Sequence, residues 1–294
     1  MNNQINSFLI KGLVFIIWVS NSFSQELFIS GVIMDKEQLT IPYVNIIALN
    51  KNEGTFSDEK GNFKLLRSDF KDSDIIEFSC LGYKTKQITV KDLKNEKIKI
   101  YLVKVFEKLD EVVLKVKKMK TYTKGKTRTN TSDMIRFSSS FKKYMWNKPG
   151  HEIGRKFSLG TKKSSYLKKF NFYIKENTFK NSILKINIYN VKDNKPYKYI
   201  NKSNIIVTLD NEFVGWKTVD LSNLDIVVKE DIIITVEYLK SVPSCYKQPG
   251  NCGLFFPYIY PTFFTDPMYT KKGIKEEWEI RKGETISMTL TYKK

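Results

Sequence analysis

Apolar residues in this chain recur at every second position along many short stretches. In "IKIYLV", Ile98, Ile100 and Leu102 fall on one side of an extended strand, whereas Lys99 and Tyr101 fall on the other. This alternation is typical of a strand in an antiparallel sheet that buries one face. The pattern fills one region before residue 105 and a second region after residue 150. The sequence therefore predicts an all-β protein built from two β domains.

The first region contains runs that are rich in β-branched and aromatic residues. Turn-forming residues separate these runs: Pro42, Gly61 and Gly82. Six or seven short strands in so small a region predict a compact β-sandwich.

The stretch "GTFSDEKGNFKL" raises the question of a metal-binding loop. A calcium loop needs oxygen ligands at alternate positions and a closing glutamate. Here Asp58 and Glu59 are adjacent, and Lys60 and Asn62 stand where further carboxylates are needed. A polar turn with Gly61 at positive φ is the expected structure, and no metal site is predicted.

Several segments of the first region, taken in order, resemble a known family. They are "GVIMD", "IPYVNI", "GTFSDEKGNFKL", "DIIEFSCLGYKTKQITV" and "LDEVVL". Over residues 27–114 they look like the carboxypeptidase-regulatory-like domain of envelope proteins from Bacteroidetes-type bacteria. The resemblance implies a transthyretin-like or Ig-like β-sandwich that acts as an accessory module without catalytic residues. No cofactor is expected from the sequence. The matching residues are Gly31, Asp35, Pro42, Asn45, Thr55, Asp58, Gly61, Phe63, Gly82 and Tyr83.

Larger members of that family continue into an outer-membrane receptor barrel. Fewer than 200 residues follow the resemblance in this sequence, which are too few for such a receptor. Transport is therefore not inferred.

The N-terminus has the pattern of a signal peptide. Lys11 precedes the apolar run "GLVFIIWV", and Ser22 and Ser24 supply small residues before a cut that would leave Gln25 as the new terminus. The run is short for a membrane-spanning helix and suits an export signal. We expect residues 1–24 to be a signal peptide, with an uncleaved anchor as the alternative, and the protein to be exported to the periplasm or the cell surface.

The formal net charge of +19 invites a nucleic-acid hypothesis. Only five of the 50 Lys and Arg residues are arginine, which is the residue best suited to bidentate contacts with phosphates and bases. Nucleic acid is therefore not an expected partner.

Residues 25–114 are predicted to form the first domain, residues 115–134 a basic linker, and residues 135–294 the second domain. The linker is polar and rich in Lys, Ser and Thr, which is typical of a solvated connection. An alternative role is peripheral contact with an anionic envelope or membrane surface.

Eight or nine alternating runs in the second domain predict a jelly-roll-like β-sandwich. One of these runs is "GWKTVDL", in which we expect Trp216 to point into the core.

Catalytic signatures are scarce. His151 is the one histidine, and it follows a Pro-Gly turn where an exposed residue at the start of a strand is expected. Glu276, Glu277 and Glu279 lie in a mixed-charge segment that is typical of a solvated surface. We expect a protein that is not an enzyme, with a polysaccharide hydrolase as the alternative if two carboxylates meet only in the folded chain.

An aromatic cluster, "GLFFPYIYPTFFTDPMY", is the most unusual feature of the second domain. Its prolines disfavour a long central strand, so some of its rings are expected in loops or at an edge. Tyr258, Tyr260 and Trp278 are the candidate ligand-binding residues. The alternative is that Phe255, Phe256, Phe263 and Phe264 of this cluster close one end of the core.

Three cysteines are present. Cys245 and Cys252 enclose the six residues "YKQPGN", so they are either a disulfide or two free thiols. Cys80 alternates with Ile76 and Phe78 and is predicted to lie in the first core.

The sequence favours an exported recognition or scaffolding module, with a glycan as the leading ligand. An assembly partner of another envelope protein is the alternative from a different class.

Overall fold

The computed structural model of the protein describes residues 28–51, 53–93, 97–105, 119–137, 150–160, 163–243, 253–260, 267–274 and 276–294. The predicted signal peptide and the pair Cys245 and Cys252 lie outside these residues. No helix in the described ranges is long and apolar enough to cross a membrane.

The first domain begins with nine short strands. They are β1 (Phe28–Met34), β2 (Asn45–Ala48), β3 (Gly54–Phe56), β4 (Asn62–Leu66), β5 (Ile75–Ser79), β6 (Tyr83–Lys84), β7 (Lys86–Thr89), β8 (Ile98–Tyr101) and β9 (Val103–Lys104). Short 3-10 helices at Arg67–Asp69 and Val90–Asp92 connect some of them.

Two sheets form this domain, in the orders β4-β1-β8 and β3-β2-β5-β7, and β6 and β9 form a further pair. Phe63 of β4 and Phe78 of β5 meet edge to face between the sheets, with ring centroids 5.6 Å apart. Ile33 and Ile100 are buried from the first sheet, and Ile76 from the second. The alternating positions predicted to be apolar therefore form the core of a small β-sandwich.

The stretch "GTFSDEKGNFKL" is a strand-turn-strand element, but its two strands join different sheets. The strand β3 pairs with β2, whereas β4 pairs with β1. In the turn, Gly61 has φ of 76°, and Asp58 Oδ1 accepts hydrogen bonds from the backbone N–H groups of Lys60 and Asn62, both at 2.8 Å. The predicted turn is confirmed, and it carries the chain across the sandwich instead of closing a hairpin.

A buried carboxylate ties the end of β1 to β9. Asp35 Oδ1 accepts a hydrogen bond from the Leu39 N–H at 2.9 Å, and Asp35 Oδ2 lies 2.8 Å from the Lys104 ammonium. Lys104 also lies 3.3 Å from Glu37. The hydrogen bond from Lys104 lowers the pKa of Asp35 below its ordinary value.

This carboxylate makes the first domain sensitive to acid. A carboxyl with a lowered pKa in the folded state adds stability above its ordinary pKa, and that stability is lost as the pH falls through the lowered value. We expect Asp35→Asn to weaken the first domain at pH 7 and to flatten its loss of stability below about pH 4. Amide hydrogen exchange of the first-domain strands measures both effects.

Glu53→Gln is the matched control, because Glu53 is an exposed carboxylate of the same domain. Equal behaviour of the two variants across the pH range would contradict the assigned role of Asp35.

The second domain contains sixteen strands among the described residues. They are β10 (Thr121–Gly125), β11 (Met134–Phe137), β12 (His151–Phe157), β13 (Ser165–Ile174), β14 (Glu176–Asn177), β15 (Phe179–Lys192), β16 (Lys195–Tyr199), β17 (Ile205–Asp210), β18 (Gly215–Asp220), β19 (Val227–Val228), β20 (Ile232–Pro243), β21 (Leu254–Ile259), β22 (Met268–Lys272), β23 (Glu279–Arg281), β24 (Thr285–Ile286) and β25 (Met288–Lys293). A 3-10 helix spans Ser222–Leu224.

Two large sheets face each other in this domain. The seven-stranded sheet has the order β16-β15-β20-β12-β22-β23, with β17 also paired to β15. The five-stranded sheet has the order β10-β25-β13-β18, with β19 also paired to β13. A smaller sheet, β11-β21-β14 with β24 on β21, lies beside them.

The core between these sheets is made by alternate residues of each strand. Phe170, Phe172 and Leu290 are fully buried from the five-stranded sheet, and Ile186 and Ile234 from the seven-stranded sheet. This arrangement confirms the predicted class, an Ig-like β-sandwich followed by a second β-sandwich of the jelly-roll type.

The predicted linker, residues 115–134, is not a linker throughout. Its residues 121–125 form β10, which pairs antiparallel with β25 from Thr121 with Lys293 to Gly125 with Thr289. All five residues of β10 are exposed, so the segment lacks the apolar alternation that predicts a strand. Backbone hydrogen bonds to β25 hold this segment as a strand, although its side-chain pattern does not predict one.

The two domains are in contact. The Asn204 side-chain amide of the second domain donates a hydrogen bond to Cys80 Sγ at 3.6 Å. Cys80 is partly buried and packs against the first core, close to its predicted position.

Candidate functional site

The outer surface of the five-stranded sheet carries a line of hydroxyl and amide groups. The strands β13, β18 and β25 place their apolar residues inward, so the alternating polar residues point outward. We call this surface the polar face, and its side chains are Thr123, Asn171, Tyr173, Trp216, Thr218, Thr289 and Thr291, with the exposed strand partners Lys169 and Asp220 at one end.

Asn171 lies at the centre of the polar face and is held by both neighbouring strands. Its Nδ2 donates to Thr289 Oγ1 at 3.0 Å, and its Oδ1 accepts from Thr218 Oγ1 at 2.7 Å. On the next strand pair, the hydroxyls of Thr123 and Thr291 lie 3.0 Å apart. The amide is therefore fixed in one orientation, and the exposed hydroxyls of Thr218 and Thr123 keep hydrogen-bonding capacity toward solvent, whereas Thr289 is buried.

An aromatic pair adjoins these polar groups. Tyr173 of β13 and Trp216 of β18 are direct partners across the strands, with ring centroids 5.4 Å apart and an interplanar angle of 70°. Trp216 is 38% exposed. A ring face beside oriented hydroxyl and amide groups suits a ligand that has both C–H and O–H surfaces.

Trp216 was predicted to be a core residue, and that prediction is wrong. Val219 and Leu221 are the buried residues at the end of this segment, and Val219 belongs to the face opposite Trp216. The period of two sends Trp216, Thr218 and Asp220 outward together.

The polar residues of this face were also not predicted from the sequence. The last strand reads "MTLTYK", in which Met288, Leu290 and Tyr292 are buried in the core, and the threonines between them lie on the opposite face, where Thr289 is also buried and Thr291 is half-buried. The regular Thr spacing was a usable signal, but threonine is common in strands and does not mark a site by itself.

Of the three residues predicted to bind a ligand, Tyr258 and Tyr260 lie close together on the chain. Tyr258 is half-buried in β21 against the main core, and the Arg281 guanidinium lies 5.7 Å from its ring centroid. Burial, Asp133 and Glu284 raise the pKa of the Tyr258 phenol. Tyr260 is 62% exposed just beyond the strand.

Trp278 lies elsewhere. It packs on the outer surface of the seven-stranded sheet, where its ring meets Tyr189 at 5.7 Å and the Lys271 ammonium lies 5.4 Å from its centroid. Met268 of β22 packs in the main core. Arg281 of β23 is its direct partner across the two strands, so it lies on the same, core-facing side of the sheet. Trp278 and the Arg281–Tyr258 contact are therefore on opposite sides of one sheet, and the three predicted residues do not form a single site.

Part of the aromatic cluster packs in the core, which was the alternative interpretation of this segment. Phe256 is fully buried and meets Phe172 at 6.2 Å, whereas Phe255 is half-buried beside Arg136. Residues 261–266 lie outside the described ranges.

Two glutamates do meet in the fold, beneath the surface of the seven-stranded sheet. The Asn187 amide donates to Glu152 Oε2 at 3.0 Å and to Glu237 Oε2 at 2.8 Å. Both carboxylates are almost completely buried. Neither was singled out from the sequence, because a charged residue between two apolar ones is usually solvated.

The groups around Glu152 and Glu237 give the two carboxyls different tendencies to ionise. The Lys185 ammonium lies 2.7 Å from Glu237 Oε2, and Lys185 is also buried. Glu152 accepts a hydrogen bond from the Tyr189 phenol at 3.0 Å. Burial and the neighbouring carboxylate of Glu237 raise the pKa of Glu152. This network connects three adjacent strands, and its hydrogen-bonding groups are used within the sheet.

The remaining candidates for chemistry are peripheral. His151 begins β12 as predicted, but it is half-buried with its ring edge-on to Phe137 at 4.9 Å. Glu276, Glu277 and Glu279 are exposed, as expected for a solvated segment. Within the described ranges, no three His, Cys, Asp or Glu side chains are grouped as metal ligands.

Residues 29–114 match the CarboxypepD_reg-like domain. The match covers the first β-sandwich, ends before β10, and confirms the domain that the sequence motifs resembled. No curated protein matches the chain in sequence.

Two solved structures show a weak likeness to this chain. One contains the cysteine protease and lectin-like domains of Cwp84, a surface layer associated protein of Clostridium difficile; it is 12% identical, with 49% of this chain and 32% of that chain covered and a TM-score of 0.35. The other is the clostridial cysteine protease Cwp84 after propeptide cleavage, 11% identical, with 90% of this chain and 70% of that chain covered and a TM-score of 0.39. This chain thus spans about a third of the first of them, and TM-scores this low do not establish a shared fold.

The buried network gives two opposite expectations for two similar substitutions. Glu237→Gln leaves the buried Lys185 ammonium without its charge partner, so it should lower the free energy of unfolding by about 3 kcal/mol. Glu152→Gln removes a carboxyl with a raised pKa, whose stabilising effect is present below its ordinary pKa and is lost as the pH rises through the raised value. Glu152→Gln should therefore be more stable than the unchanged protein at pH 8 and should lose that advantage near pH 4.

Thermal unfolding of the two variants and the unchanged protein at both pH values measures these effects. An equal loss of stability in both variants at every pH would contradict the assigned charges.

Proposed function

We propose that this protein is an exported recognition module without enzymatic activity, and that it binds a glycan on the polar face of its second domain. The supporting observation is the Trp216–Tyr173 pair beside the amide of Asn171. A sugar ring offers C–H groups to an aromatic face and hydroxyls to polar side chains. Because Thr218 and Thr289 hold the amide, a ligand does not have to order it on binding, which favours affinity.

A binding role is also favoured by the state of the paired carboxylates. Glycoside hydrolysis needs two acids that reach a substrate. Glu152 and Glu237 are buried and hydrogen-bonded within the sheet. In this proposal, Glu152 and Glu237 connect neighbouring strands and stabilise the fold.

The proposed setting is the periplasm or the cell surface. The CarboxypepD_reg-like domain resembles an accessory module of envelope proteins, and the N-terminus has the composition of an export signal. The basic residues before β10 then provide a peripheral contact with an anionic surface, and nucleic acid is not a proposed partner.

A second candidate function, assembly with another envelope protein, is favoured by the edge strand β10. It ends the five-stranded sheet, and the described part of the chain places no strand on its other side. Lys120 and Lys294 exchange both backbone hydrogen bonds, so Thr121 and Thr123 belong to the positions whose N–H groups point away from β25. Such an edge accepts an added strand from a partner.

The glycan proposal predicts a selective loss in Trp216→Ala. Removing the exposed ring should weaken binding to an immobilised neutral polysaccharide by roughly tenfold or more. The free energy of unfolding should change by less than about 1 kcal/mol, since the side chain is at the surface. Affinity electrophoresis against a panel of glucans, xylans, mannans and peptidoglycan measures the binding.

Tyr260→Ala is the matched control, because Tyr260 is a more exposed ring outside the polar face. A loss of binding in Tyr260→Ala and not in Trp216→Ala would move the site to the aromatic cluster. Failure of the folded protein to bind any member of the panel would overturn the glycan proposal.

The assembly proposal predicts the effect of Thr123→Pro. Proline removes an N–H that points to the open edge and preserves the ladder with β25, so the domain should fold. Cross-linking in the native envelope should lose a partner product that the unchanged protein gives. Retention of that product would argue against strand addition at β10.

A further inference from the structure

A cleft of about 840 Å³ lies between the two domains. The turn between β3 and β4 forms one wall, and Ile183, Leu239 and Lys240 of the second domain form the other. This volume is within the range of small-ligand sites. The polar face described above is not part of it.

A β-bulge shapes the second wall. Ile183 pairs with Lys240 and Leu184 pairs with Tyr238, which leaves Leu239 as an extra residue in β20. A bulge changes the direction of the side chains next to it. Here both Leu239 and Lys240 line the cleft, although neighbouring residues of a regular strand point to opposite sides.

The two carboxylates of the cleft, Asp58 and Glu59, already form hydrogen bonds within the first domain. Asp58 accepts the hydrogen bonds of its own turn. Burial works against its ionisation, but the hydrogen bonds from Asn62 and Lys60 outweigh burial and lower the pKa of Asp58. Glu59 hydrogen-bonds with the Tyr43 phenol, and burial together with this carboxylate raises the pKa of Tyr43 to about 12.

The ammonium groups of the cleft are not occupied in the same way. Lys60 and Lys240 are exposed, lie on opposite walls, and form no salt bridge with a described residue, although the charge of Lys240 contributes to lowering the pKa of Asp58. Lys64 also lines the cleft, with its ammonium 3.5 Å from the centroid of the Phe28 ring. The cleft therefore contains three ammonium groups and two carboxylates, and among the described residues Lys60 and Lys240 are the two cations without a salt bridge or a ring contact.

Tyr43 gives a third observation. Its φ is 56°, in the left-handed region that is unfavourable for a bulky residue. Glycine would take this conformation at no steric cost. A strained aromatic residue that lines a cleft is the kind of outlier that accompanies a functional site.

We propose that this cleft binds an acidic saccharide, with the carboxylate of a uronic acid unit between Lys60 and Lys240 and the sugar ring against Tyr43. Ser30 and Thr55 line the same cleft and provide hydroxyl groups for the ring hydroxyls. A lysine ammonium attracts a carboxylate as a point charge, and an aromatic side chain favours a ring over an extended peptide chain. The site is independent of the polar face and takes a ligand of different charge.

The test is isothermal titration of the full chain with a galacturonic acid trimer and with a neutral galactose trimer of the same linkage. We expect the acidic trimer to bind and the neutral trimer to bind at least about tenfold more weakly. Lys60→Gln with Lys240→Gln should reduce the affinity for the acidic trimer by roughly tenfold or more. Lys99→Gln with Lys293→Gln changes the net charge equally at exposed sites outside the cleft, and it should leave the affinity unchanged.

Tyr43→Gly keeps the test free of folding effects, since glycine suits the backbone at this position. This variant should unfold at a temperature no lower than the unchanged protein and should lose affinity for the acidic trimer. Trp216→Ala should bind the acidic trimer normally, so failure of the polar-face proposal and failure of the cleft proposal are distinguishable.

Several results would overturn the cleft proposal. They are no binding of the acidic trimer by the folded protein, equal binding of the neutral trimer, and unchanged affinity in the Lys60 and Lys240 double variant. Equal or tighter binding of a Glu-rich hexapeptide that competes with the acidic trimer would assign the cleft to an acidic protein segment and would also overturn the saccharide proposal.

Discussion

The strict alternation of side chains along each strand governs the organisation of the second domain. Every strand that gives Phe170, Leu290 or Ile234 to the core must send its intervening residues to the opposite side. The core therefore determines two further surfaces, one on the outside of each sheet. What distinguishes this protein is how differently those two surfaces are used.

On the seven-stranded sheet, the outward residues are covered and form an internal network. Asn187, Glu152 and Glu237 are almost completely buried there, and Lys185 balances one of the two charges. On the five-stranded sheet, Trp216, Thr218 and Thr123 remain exposed. Hydrogen bonds hold the amide of Asn171 in a fixed orientation on this surface, and these three side chains remain accessible to solvent. A surface of this kind is suited to binding, whereas the buried network is suited to holding strands together.

The sequence predicted the β-sandwich class, the turn at Gly61 and the outline of the first domain, because local turn chemistry and a period of two determine them. It did not predict that β3 and β4 pair with different sheets, since pairing partners are chosen by contacts distant in sequence. The strand β10 was missed because its order comes from the backbone ladder with β25. Trp216 was misassigned because alternation shows that a strand has two faces but not which face is buried. The outward Thr and Asn residues form one surface only because β13, β18 and β25 are neighbours in the folded sheet.

The central claim is that a glycan contacts the polar face through Trp216. The most direct measurement is the NMR spectrum of tryptophan indole N–H groups during titration with the oligosaccharide that the panel identifies, with the Trp216 signal assigned from Trp216→Phe. We predict that the Trp216 indole signal shifts in a saturable way and that the Trp278 signal does not shift. A shift confined to Trp278, or unchanged indole signals in the presence of demonstrable binding, would contradict this prediction.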